Sequence, residues 1–88
     1  MIHRDSVERY PGALIELAEE IGDLRYDALA AFLNALAEKL NADAGADARR
    51  SRPRLAAALR AASERVNDAA GEVAKAWKIA APHMKGSS

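Results

Sequence analysis

Glu16, Glu20, Asp23 and Asp27 follow one another at steps of four, three and four residues. On one continuous helix, turning about 100° per residue, these carboxylates fall within about 60° of each other and form an acidic ridge. Such a row can hold a magnesium ion, which takes carboxylate oxygens in octahedral geometry and keeps several waters. Without a cation, each like-charged pair costs the helix about 0.2–0.5 kcal/mol. The ridge is therefore either half of a metal centre or a solvated surface broken by a joint at Gly22.

A second cluster, Arg49, Arg50, Arg52 and Arg54 in "RRSRPR", has the charge to grip a phosphate backbone. No aromatic residue interleaves with it and no base-reading pattern follows. Arginines just past a helix C-terminus also complement the helix dipole. Other chemistry is sparse. The chain has no cysteine, so disulfides, thiolate nucleophiles and zinc–thiolate sites are excluded. His3 and His83 stand at opposite ends, and the isolated glycines build no phosphate loop. No serine has a neighbouring base to activate it. "NADAGAD", 41–47, is not a calcium loop: its glycine is fifth rather than sixth, and Arg52 occupies the twelfth position.

The elements that must position these residues read as helices. Leu14, Leu17, Ala18 and Ile21 repeat at helical spacing, as do Leu24, Leu29, Phe32, Leu33, Leu36 and Leu40. The longest stripe is Leu55, Leu59, Ala62, Val66, Ala69, Val73, Trp77 and Ala80, ended by Pro82. No run alternates as a strand would. The pattern predicts an all-α fold with helices over about 11–22, 24–44 and 52–81, with Pro11 as a first helical residue and Ser51 as the cap of the third. Asn41, Gly45 and Pro53 mark the main break. Two long helices joined by a short connection predict an antiparallel helical hairpin, with the short N-terminal helix packed on it or extending it.

The stretch "ELAEEIGDLRYDALAAFLNALAEKLNAD", 16–43, resembles the second half of the MazG-like all-α nucleotide pyrophosphatases. The ExxD step of that family is matched by Glu20-Ile21-Gly22-Asp23, followed by an apolar helix. The resemblance implies a magnesium site involving Glu16, Glu20, Asp23 and Asp27, with the metal activating water and neutralising a triphosphate. The family also carries an EExxE set on a preceding helix. Here the only acids upstream of Glu19 are Asp5, Glu8 and Glu16, at other spacings.

Arg25 argues for the joint instead. On a continuous helix it lands beside the Leu14/Ile21 apolar arc, an expensive place for a charge. A break at Gly22, with Asp23 capping the following helix, frees Arg25 to face water and scatters the ridge.

Eighty-eight residues make one small domain, here 1–85, with Gly86-Ser87-Ser88 reading as a cloning remnant. Of 44 hydrophobic residues, 22 are alanine, so a lone copy has little to bury. Residues 1–48 hold four Lys/Arg against ten Asp/Glu, whereas 49–88 hold nine against three. The acidic and basic halves are expected to attract each other, within one chain or across a dimer. No apolar run approaches the 18–20 residues or so that span a bilayer, and no signal-peptide core opens the chain, so cytoplasm is the expected location. The sequence thus predicts a non-enzymatic helical interaction or regulatory module that dimerises into a helical bundle. Its expected interface is Leu29, Phe32, Leu36, Leu59, Val66, Val73 and Trp77. The expected partner is a second copy or another protein, ahead of nucleic acid, with no membrane. No cofactor is expected outside the magnesium reading.

Overall fold

A run of small residues seven apart governs the architecture. Ala30, Ala37 and Ala44 lie on one helix, Ala56, Ser63 and Ala70 on another, and all six are buried. Seven residues are nearly two helical turns, so each row stays on one side of its helix and the two rows close into a seam. The structure, a computed structural model, describes residues 3–84. It has three helices: α1 (Leu14–Gly22), α2 (Tyr26–Arg49) and α3 (Pro53–Met84). No strand occurs among the described residues. α2 and α3 form the antiparallel hairpin, among the described residues the only helix pair that packs extensively.

The seam is tight enough for a side chain one carbon long to cross it. The Ser63 hydroxyl donates to the Ala37 carbonyl oxygen at 2.7 Å. Levelling Ser63 with Ala37 sets the register: seven residues outward, Ala30 comes level with Ala70, and Ala44 with Ala56. Leu33, Leu40, Leu59, Val66 and Val73 flank the seam half-buried. The Cα envelope is 53 × 29 × 14 Å, close to the thickness of a single layer of helices.

Several element boundaries differ from the sequence expectation for identifiable reasons. α1 begins at Leu14, not Pro11. Ala13 is its N-cap, and Glu16 accepts the Ala13 N–H at 3.0 Å, half of a capping box. The expected break from Asn41 does not occur, and α2 runs to Arg49. Ala42, Ala44, Ala46 and Ala48 carry the helix past Gly45. Ser51 does not cap α3. It sits in the turn with φ of 60°, while the Arg52 carbonyl accepts the first α3 bond, from Ala56 at 2.9 Å, and Pro53 takes the first helical position. α3 continues through Pro82 to Met84, since a proline in the last turn removes only one hydrogen bond. Residues 86–88, read as a cloning remnant, lie outside the described residues.

Candidate interaction surface

The carboxylate row is dispersed by the joint at Gly22. α1 ends there, Asp23 closes it through an N–H bond to the Glu19 carbonyl at 3.0 Å, and α2 starts at Tyr26. Asp23 therefore sits at the end of α1 and does not cap α2, whose N-cap position is Arg25. Each of the other acids has its own partner. Glu16 holds the Ala13 N–H, Glu20 accepts from the Tyr10 hydroxyl, and Asp27 accepts from Arg25 Nε at 2.6 Å and Nη2 at 2.9 Å. Asp27 also takes the Ala28 N–H at 2.9 Å, doing for the first turn of α2 what a capping side chain does. Among the described residues, no three metal-ligating side chains converge.

These contacts leave an electrostatic signature. The Arg25 guanidinium holds the Asp27 carboxyl below its usual value, helped by the Ala28 N–H and opposed by desolvation. The bond to Glu20 raises the Tyr10 hydroxyl, because the carboxylate stabilises the protonated phenol. Arg25 has a second role that the sequence did not signal. Its guanidinium lies 5.3 Å from the Trp77 ring centroid, a cation–π contact pinning the joint to the far half of α3. The two residues are brought together only by the hairpin.

The arginines divide by position. Arg49 ends α2, Arg50 and Arg52 occupy the turn, and Arg54 lies in the first turn of α3; all four are exposed. Arg52 reaches Asp47 at 3.4 Å, and the Asp47 backbone carbonyl accepts N–H bonds from Arg50 and Arg52. Asp47 is thus a buried acid that ties the turn together, and it was not among the expected functional residues. Arg50 and Arg52, with His3, edge an open cleft of about 480 Å³ floored by Leu40, Leu55 and Leu59.

The expected interface residues share a different property: none is buried. Phe32 is 40% exposed and Leu36 39%, while Leu29, Leu59, Val66, Val73 and Trp77 are half-buried. Their placement follows from the seam. In an antiparallel pair, the residues just before the seam positions of both helices lie on one side. On that side are Leu29, Leu36 and, nearest the turn, Asp43 of α2, and Leu55, Ala62, Ala69 and Ala76 of α3. Leu55, 45% exposed, was not among the expected interface residues. The residues four past the seam positions lie on the other side, where Asn34, Asn41 and Asn67 line a polar groove of about 340 Å³. The hairpin therefore has one apolar broad face and one polar broad face. α1 exposes Leu14 and Ile15, the latter to 76%, and contributes no buried residue. No described helix is long and apolar enough to cross a membrane.

Set beside known proteins, the chain matches no family model, no curated protein and no solved structure.

Proposed function

We propose that the protein is a non-enzymatic helical interaction module that works as a homo-oligomer, with the apolar face of the α2–α3 hairpin as its contact surface. One observation carries this reading. Among the described residues, nothing larger than an aspartate is buried, while Leu36 and Leu55 on the apolar face, and Phe32 beside it, stay exposed. A single layer of helices leaves that side with nothing to pack on, and a second layer supplies it. Contiguous apolar surface of this kind marks an interaction site in soluble proteins.

The test is the mass of the folded protein in solution at micromolar concentration, by sedimentation or light scattering. A multiple of the chain mass is expected, and a folded monomer would overturn the reading. The same preparation addresses catalysis. Magnesium-dependent release of pyrophosphate from a nucleoside triphosphate, abolished by Asp23→Ala, would replace the module with the MazG-like enzyme.

A further inference from the structure

The apolar face is not uniform across its width. On α2, the residues just before the seam positions are Leu29, Leu36 and, nearest the turn, Asp43, and Phe32 stands beside the two leucines. On α3 the equivalent central positions are Ala62 and Ala69. The face thus has a ridge along α2 and a trough along α3.

We infer that two copies pair with the α2 ridge of each in the α3 trough of the other, both α2–α3 turns at the same end. This rests on the self-association proposed above and specifies its geometry. Protein interiors are packed to uniform density, which favours large side chains facing small ones. Ridge on ridge would hold the alanine rows of the two copies apart across a void, whereas ridge in trough fills the layer evenly.

Charge selects the same pairing. α2 carries four acids (Asp27, Glu38, Asp43 and Asp47) against Lys39 and Arg49, and α3 carries three (Glu64, Asp68 and Glu72) against Arg54, Arg60, Arg65, Lys75 and Lys78. Ridge in trough lays each net-acidic α2 over the partner's net-basic α3, while ridge on ridge lays like over like. The pairing carries one electrostatic cost, because both arginine turns come to one end. That cost is moderated by Asp47, already paired to Arg52, and by salt screening of exposed charges.

Symmetry then fixes the register. A two-fold axis relating two stacked hairpins runs either along the helices or across them. Only the axis along the helices puts α2 over the partner's α3, and a pure rotation about it permits no sliding. Since Ser63 is level with Ala37, Leu36 falls between the partner's Ala62 and the partner's Val66. Leu29 falls between the partner's Ala69 and the partner's Val73.

The absence of cysteine makes this testable by disulfide trapping. Chains carrying single substitutions, Leu36→Cys with Ala62→Cys and Leu29→Cys with Ala69→Cys, are mixed, equilibrated and oxidised. Helical circular dichroism and the native mass confirm that each variant is folded and associated. A disulfide between unlike chains is expected in at least one mixture, and none in Leu29→Cys or Leu36→Cys alone. An associated protein in which neither mixture links, or in which an α2 cysteine links to its own counterpart, overturns the pairing but not the self-association. A monomeric native chain overturns both.

Discussion

Ser63 is the one polar side chain in the seam, and its size matters as much as its hydroxyl. Ser63→Ala removes the bond to the Ala37 carbonyl but keeps the close approach, and is expected to cost about 1 kcal/mol in urea unfolding. Ser63→Leu must push the helices apart at mid-seam, with an expected loss of about 3 kcal/mol or more. If the two variants prove equally mild, the seam is not close-packed. The Arg25–Asp27 pair gives a second prediction, with a defined sign. The folded-state value of Asp27 lies below its reference of 3.8, so the pair stabilises the fold at all pH values above that reference. Its contribution is lost as the pH falls through the lowered value. Both groups are exposed, so the effect on stability is small and a carboxyl titration by NMR is the better readout. Arg25→Gln should move the Asp27 midpoint upward; an unchanged midpoint would mean that the pair does not persist in solution.

At the scale of elements, helix content and pairing were legible in the sequence because they follow from apolar periodicity and alanine content. The joint at Gly22 was legible too, since Arg25 made a continuous helix costly. The boundaries were less so. Asn41 and Gly45 read as breakers, but alternating alanines and the Asp47 tie to the turn hold α2 to Arg49. The seam itself was hidden because alanine reads as helix propensity; only the seven-residue recurrence of Ala30, Ala37 and Ala44 reveals it as contact surface. The Arg25–Trp77 contact depends on the folded hairpin and has no local signature. Two backbone positions offer tests. Ser51 holds a φ of 60°, strained for a residue with a side chain, so Ser51→Gly should stabilise by about 0.5 kcal/mol. Gly71 lies mid-α3 with open space around its missing Cβ, so Gly71→Ala should add about 1 kcal/mol. Denaturant midpoints measure both, and a loss at Gly71 would show that its face is covered in the assembled protein.

For the whole molecule, the proposed association through the apolar face would make stability a property of concentration. If hairpins associate through the apolar face, the midpoint of thermal unfolding rises with protein concentration. Leu36→Glu places a charge in that layer and leaves the seam untouched. It is expected to yield helical monomers whose midpoint is independent of concentration, as read by calorimetry across a dilution series. Normal association of that variant would move the contact surface elsewhere.

The alanine seam also bears on how the molecule reaches this state. Alanine has no side-chain rotamers to freeze, so closing the seam carries almost no side-chain entropy cost. The turn between Arg49 and Pro53 is short, and the contacts nearest it, Ala44 with Ala56, enclose few residues. Pairing can begin there and spread outward to Ala30 and Ala70 without a long loop closing first. Refolding followed by stopped-flow circular dichroism should therefore show a fast helical phase that ignores protein concentration. A slower phase, whose rate scales with concentration, should follow as the apolar faces meet. On the proposed association, the hairpin is expected to form alone and early, with the leucines covered only when a second copy arrives.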